Sequence, residues 1–296
     1  MKVLITGSEG NVGKKLMLYL QDKGYQVFGV GTTTRIADDY RMVDINNSIE
    51  LSEVFYTFQP DVCYHLAAKV SRVTCEKSPC LAVKTNVMGA NNVIHLCLFY
   101  KVRLIYFSTS EVYGNISGLH TEDREMSPNN IYGLSKLMGE QLVQYNITCG
   151  LEAIIVRPFM LYHETEHRTG EHHSALIRFC DGLLRRQKIT VHERTSRSWM
   201  YIGDAIQVFE RLLDVRGNHV LNVGNPTGWL ISDLAGMICE KLGINYDKYV
   251  TEIPMPERMS YTKEPDLRRQ TELTGFSEFT SLSDGLDKVL KRMLCG

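Results

Sequence analysis

The chain has 296 residues, with 33 Lys and Arg against 34 Asp and Glu, for a net charge of −1. Its length suits one large domain or two closely joined ones, and 44% hydrophobic with 23% charged residues excludes a disordered chain. The balanced charge argues against a nucleic-acid partner, and no apolar run approaches the roughly 20 residues of a membrane span.

The opening MKVLITGSEG runs straight into a predicted strand and a glycine turn, without a secretory apolar region. Eight cysteines (63, 75, 80, 97, 149, 180, 239 and 295) include no C-x-x-C pair and read as free thiols of a reducing cytoplasm. Apolar runs predict strands at 3–6, 26–30, 41–43, 61–66, 104–107 and 153–156. Between them lie amphipathic helices, among them 11–23, with Val12, Leu16 and Leu20 on one face, and 49–58, with Ser48 as N-cap and a stop before Pro60. This alternation predicts an α/β fold, a Rossmann-like doubly wound parallel sheet.

After Pro158 the alternation breaks. Residues 160–198 are polar and rich in His and Arg, with one helical stretch at 174–186. A helix at 204–213 and a strand at 219–223 resume the α/β pattern. Beyond them the sequence predicts a helix at 232–242, a Pro-bearing loop at 253–265 and a last helix at 283–293. The expected division is a dinucleotide-binding domain of 1–157 with 199–224, and a smaller C-terminal α/β substrate lobe of 158–198 with 225–296.

The first strand ends in Gly7-Ser-Glu-Gly10-Asn11-Val12-Gly13, which opens a helix. Glycines there permit a tight turn, let backbone N–H groups approach a pyrophosphate, and pack helix on strand. The anion would sit on the helix N-terminus. The residue that usually reads the ribose 2′-hydroxyl is acidic; here the second strand ends at Gly31, with Arg35 following. That favours NADP, whose 2′-phosphate Arg35 would pair, with NAD the alternative. Asp44 and Ile45, after the third strand, are candidates to meet the adenine.

Two segments carry candidate chemistry: Ser108-Thr109-Ser110-Glu111-Val112-Tyr113 at a strand end, and Tyr132-Gly-Leu-Ser-Lys136 on a helix. Tyr and Lys four apart share a helix face. A phenol of pKa near 10 acting as a base at neutrality needs about 4 kcal/mol of differential stabilisation, which Lys136 and a positive nicotinamide would provide together. Thr109 would hold the substrate hydroxyl.

Taken in this order, these motifs resemble the extended short-chain dehydrogenase/reductases of the nucleotide-sugar epimerase/dehydratase group. The resemblance covers nearly the whole chain. It implies that Thr109, Tyr132 and Lys136 form the catalytic set, and that Leu66, Ala67, Ala68 and Asn86 line the cofactor beside the glycine turn. It further implies that Tyr132 takes a proton from a sugar hydroxyl, usually at C4, and that Glu111 is placed as a second base, with Ser110 beside it at the substrate. Arg197, in Arg-Ser-Trp-Met-Tyr-Ile-Gly-Asp204, would meet a nucleotide diphosphate, flanked by Arg194 and joined by Arg258. Met160 and the stretch Val191-His-Glu-Arg-Thr-Ser depart from the family pattern, so the sugar is not carried over.

The expected partner is a nucleotide-diphosphate sugar, and the helices 86–100 and 132–145 suggest a homodimer by analogy. Decarboxylation and simple dehydrogenase or reductase chemistry are alternatives, as is a non-catalytic dinucleotide sensor, which has no use for an intact Thr/Tyr/Lys set. His163-Glu-Thr-Glu-His167, with His172 and His173 nearby, is a literal zinc-protease motif. It lies in the polar segment rather than on a helix, and no metal is expected.

Overall fold

The computed structural model describes residues 1–166, 174–255 and 260–295. Two compact units emerge: 1–112, 128–158 and 206–221 form the first, and 113–127, 159–205 and 222–296 the second. This differs from the expected division. Residues 113–127 group with the second unit because the strand Gly118–His120 pairs with Thr262–Pro265 and the Tyr113 hydroxyl bonds Asn222. Residues 199–205 also fall in the second unit.

In the first unit a seven-stranded sheet runs in the order His219–Val223, Ala153–Pro158, Arg103–Phe107, Val62–His65, Lys2–Thr6, Gln26–Gly31, Tyr40–Met42. The pairings from Tyr40–Met42 through Ala153–Pro158 are all parallel. Strand order reverses between Lys2–Thr6 and Val62–His65, and in such sheets ligands bind at the carboxyl ends beside that reversal. The apolar runs are the sheet's middle: Val62–His65 and Arg103–Phe107 are buried at every position, as strands covered on both faces must be. Helix Ser48–Phe58 is capped by Asn47 rather than Ser48, the Asn side chain accepting from Glu50 N–H at 3.3 Å.

Helix Ile131–Thr148 packs close to the sheet. A Cβ at Gly133 would lie 2.6 Å from the Glu111 carbonyl, and one at Gly139 would overlap the Tyr106 hydroxyl. Beside it, Arg157 and Glu140 form a buried pair, Nη2 to Oε2 at 2.7 Å and Nε to Oε1 at 3.0 Å.

The second unit has its own core around Trp199, Tyr162 and Phe179, enclosed by helices Ala175–Leu184, Ile231–Leu242 and Leu282–Cys295. Its five-stranded sheet holds Gly228–Leu230, Ser196–Tyr201, Thr262–Pro265 and Gly118–His120 in order, with Met160–Tyr162 on Ser196–Tyr201. A separate parallel pair joins Ile189–His192 to Val250–Ile253. The polar segment 160–198 thus contains strands, and the expected loop 253–265 ends in one. Among the described residues no helix is long and apolar enough to cross a membrane.

Removing one member of a buried ion pair leaves the other charge unpaired, a cost of about 3–5 kcal/mol. Arg157→Ala is expected to lower the free energy of unfolding, read from urea titration, by that amount, and the double variant Arg157→Met/Glu140→Leu to recover most of it. Equal midpoints for Arg157→Ala and the parent would count against a stabilising pair.

Candidate active site

The glycine turn is built by close packing. Gly7 has φ of +72°, and a Cβ on it would stand 2.7 Å from the Ala67 nitrogen. A Cβ on Gly13 would run into the Gly7 carbonyl, so the first helical turn rests directly on the strand end. Helix Asn11–Asp22 starts at Gly10 with no side-chain cap, which leaves the N–H groups of Asn11, Val12 and Gly13 for an anion. Across the turn, Leu66 N–H bonds the Thr6 carbonyl at 3.1 Å and Ala67 N–H the Thr6 hydroxyl at 3.3 Å. Ala68 follows, half-buried. This cradle fits a dinucleotide pyrophosphate.

Four residues expected at the cofactor have partners within the chain. Asn86, in the π-helical turn Lys84–Gly89, is buried and its amide is fully engaged. It accepts from Lys69 N–H at 2.7 Å and donates to the Lys69 carbonyl at 3.0 Å and the Ser135 hydroxyl at 2.9 Å. It therefore ties the loop after Val62–His65 to the helix of Tyr132. The Ile45 side chain belongs to the hydrophobic core, and Asp44 folds onto Asn46 with bonds of 2.9 and 2.8 Å. Arg35 is not a waiting cation: it bonds Glu9 at 2.7 Å and Asp39 at 3.1 Å.

The catalytic candidates of the first unit do converge. The Thr109 hydroxyl lies near enough to the Tyr132 phenol to favour its ionised form, and it accepts from Glu111 N–H at 3.2 Å. Ser110 is buried at the start of the short helix Ser110–Tyr113. The Glu111 carboxylate, close enough to act on Tyr132 electrostatically, accepts from the Asn130 amide at 2.9 Å and pairs with Arg72 at 3.7 Å. Asn130 also caps helix Ile131–Thr148, its Oδ1 accepting from Gly133 N–H at 2.9 Å. One side chain thus fixes both the helix bearing Tyr132 and the orientation of Glu111. Sequence reading passed over Asn130, although its N-cap signature precedes Ile131-Tyr132.

Lys136 does not lower the Tyr132 pKa here. Burial pushes that phenol up to about 12, Thr109 opposing and Glu111 adding. Lys136 is itself buried, its Nζ 4.4 Å from the Tyr106 ring centre, and burial brings it down to about 7 against the pull of Glu140. His65, with Nδ1 on the Thr6 hydroxyl at 2.7 Å, falls to about 3 through burial and the nearby Lys136, and is neutral.

In the second unit Arg197 is buried and donates to the carbonyls of Ser196 at 2.6 Å, Tyr261 at 3.2 Å and Ser260 at 3.0 Å. Arg194 is exposed in a turn at φ of +54°. Arg258, His167, His172 and His173 lie outside the described residues. A cavity of about 570 Å³ in this unit is bordered by Arg178, Lys188, Thr190, Ile253 and His192, the last in the stretch that departs from the family pattern. Glu166 accepts the N–H groups of His163 at 3.1 Å and Ser174 at 2.8 Å, and Glu164 accepts the Tyr201 hydroxyl at 2.9 Å, so both acids have structural partners. Among the described residues no group of three or more His, Cys, Asp or Glu is placed to hold a metal.

A glycine turn at the switch point of a parallel sheet, with a Thr–Tyr pair and a lysine at the next strand end, defines a dinucleotide-dependent enzyme site. The profile of the NAD dependent epimerase/dehydratase family matches residues 3–224, and the chain belongs to that family. It is an enzyme of the nucleotide-sugar epimerase/dehydratase class, within the extended short-chain dehydrogenase/reductases. Similar proteins include UDP-glucuronic acid decarboxylase 4 of Arabidopsis thaliana, 26% identical over 98% of this chain and 68% of that one. The UDP-glucose 4-epimerase of Thermotoga maritima, solved with UDP-glucose, superposes with a TM-score of 0.91 at 22% identity, covering 100% and 99% of the two chains. The UDP-glucuronic acid 4-epimerase of Bacillus cereus, solved with UDP-glucuronic acid and NAD, gives 0.87 at 26% identity, also over 100% and 99%.

The Lys136 environment has a stability consequence. Between pH about 7 and the ordinary lysine value near 10.4, the unfolded chain holds a proton that the folded one has lost, so stability rises with pH across this window. Below it the cost of the buried charge is felt in full. Lys136→Met should therefore melt higher than the parent near neutral pH, and the gain should shrink towards pH about 10. A difference in melting temperature that stays constant across that range would contradict the assignment.

Proposed function

We propose that the chain oxidises C4 of a UDP-linked hexose or hexuronic acid and then rearranges the keto-sugar, with NAD as the cofactor. The observation that carries this is the convergence of Thr109, Tyr132 and the Glu111 carboxylate, each near enough to act on the next. The turn Gly7–Gly13, the loop Leu66–Ala68 and Lys136 would hold the dinucleotide, which supplies the hydride acceptor when bound. NAD is favoured over the NADP suggested by the sequence because Arg35 already answers two carboxylates. The UDP-sugars named for the relatives support the substrate class, as do the basic groups Arg178 and Lys188 at the cavity of the second unit.

Thr109 would receive the sugar hydroxyl and align it on Tyr132, which takes its proton. Oxidation at C4 makes the hydrogen on C5 acidic, because the resulting carbanion is delocalised into the ketone. Glu111, oriented by Asn130 and Arg72, is placed to remove it. With a hexuronic acid, the same C4 ketone makes the C6 carboxylate that of a β-keto acid, which loses carbon dioxide readily. Epimerisation, dehydration and decarboxylation thus diverge after one shared step.

Tyr132→Phe is expected to lower turnover by about 10³-fold or more while leaving the dissociation constant for NAD unchanged. Glu111→Gln should still reduce bound NAD on mixing with UDP-glucuronate or UDP-glucose, yet fail to exchange the C5 hydrogen with deuterated water. Unimpaired turnover in Tyr132→Phe would end the mechanism, and unimpaired exchange in Glu111→Gln would remove Glu111 from it.

The eight cysteines remain free thiols, in keeping with a cytoplasmic enzyme. We also propose a homodimer. Exposed Met88, Phe99, Leu134 and Tyr145 lie on the mutually packed helical stretches 84–100 and 131–148, a surface suited to a second copy. Light scattering should give twice the 33.7 kDa chain mass, and Phe99→Glu/Tyr145→Glu should return a monomer. A monomeric parent would exclude this.

A further inference from the structure

Nothing acidic ends the second strand: Gly31 is followed by Thr32, Thr33 and Thr34. A carboxylate nonetheless reaches that corner from another part of the chain. Glu9 stands inside the glycine turn, and its Oε1 accepts from Arg35 Nη1 at 2.7 Å. Asp39 takes the other arm of the same guanidinium at 3.1 Å, while its second oxygen accepts from Gln21 at 2.8 Å. The Arg35 guanidinium lies 5.6 Å from the Tyr40 ring centre, and the Tyr40 hydroxyl donates to the Thr33 carbonyl at 2.6 Å. The segment after the second strand is thereby held against the neighbouring strand Tyr40–Met42.

Two carboxylates and one guanidinium leave this corner with a net negative charge. A 2′-phosphate brought there meets repulsion from Glu9 and Asp39, and finds its natural partner, Arg35, already engaged from both sides. A 2′-hydroxyl needs only an acceptor, and Glu9 is one. We infer that Glu9, contributed by the glycine turn in place of an acid at the end of the second strand, selects NAD against NADP, with Arg35 acting to position it. The inference rests on the dinucleotide reading of the turn and deepens it. Selectivity of this kind is a difference between two affinities, achieved here through a repulsive element.

The test is calorimetric titration of NAD and, separately, NADP into the full chain freed of bound nucleotide. The parent should bind NAD more tightly by about tenfold or more. Glu9→Gln, which keeps the shape and removes the charge, should strengthen NADP binding and bring the two affinities within about threefold. Adding Arg35→Leu to that variant should abolish the gain, because the gain depends on a released guanidinium. Asp39→Asn, at the more exposed carboxylate, should shift the ratio the same way by less, and stands in if Glu9→Gln melts early. Tighter or equal binding of NADP by the parent would overturn the inference while leaving the dinucleotide site intact. So would an unchanged ratio in both Glu9→Gln and Asp39→Asn. Failure of the parent to bind either dinucleotide would remove the underlying reading as well.

Discussion

The first unit depends on how closely helix Ile131–Thr148 lies against the ends of the parallel strands. Two glycines make this possible: side chains at Gly133 and Gly139 would strike the Glu111 carbonyl and the Tyr106 hydroxyl. From that approach follow the contacts on which the site is built. Tyr132 meets Thr109, Asn130 reaches Glu111, Lys136 settles over the Tyr106 ring, and Glu140 finds Arg157. These four contacts fall on successive turns of one helix, so a shift of the helix by an ångström would loosen all of them. Asn86, bonded to Ser135 on this helix and to Lys69 in the cofactor loop, carries the same constraint to the dinucleotide side.

The same burial explains the electrostatics. An ammonium and a phenol removed from water both move towards their neutral forms, so Lys136 falls and Tyr132 rises. The protein alone therefore holds the two groups with the proton on the phenol, and no lowering of the tyrosine by the lysine is present. What the fold contributes is position: a phenol set beside Thr109, with a lysine one turn along the helix, near enough to answer charge that arrives with the ligands. The buried pair Arg157–Glu140 serves this arrangement, since Glu140 is the carboxylate that counters the desolvation of Lys136.

The legible parts of the sequence were those with local patterns. Strands such as 62–65 and 103–107 are nearly continuous apolar runs, and the spacing of Tyr132 and Lys136 is a property of any helix. The strands of the second unit were hidden because their residues are polar and their partners distant: Ser196–Tyr201 pairs with Thr262–Pro265, and that strand with Gly118–His120. Burial at the site was equally invisible: the sequence expected Lys136 and a positive nicotinamide together to lower the tyrosine, and the packing of the protein alone raises it. The hydrogen bonds of Asn86 were hidden for the same reason, since its partners Lys69 and Ser135 come together only in three dimensions. The partners of Arg35 were hidden likewise, because Glu9 and Asp39, at 26 residues before it and four after it, meet it only in the folded chain.

The two ends of the dinucleotide site work by different physics. At the glycine turn the ligand would meet backbone: N–H groups of an uncapped helix and surfaces with no Cβ to intrude. Such a surface recognises a pyrophosphate but distinguishes poorly among dinucleotides, because both have one. Discrimination therefore falls to side chains at the rim, where Glu9, Arg35 and Asp39 are partly exposed and contribute little to the core. At the reacting end the order is reversed, with buried side chains whose protonation depends on the packing around them. A substitution at the rim can thus change which cofactor binds without unsettling the fold, whereas one at Lys136, Tyr106 or Glu140 changes stability and chemistry together.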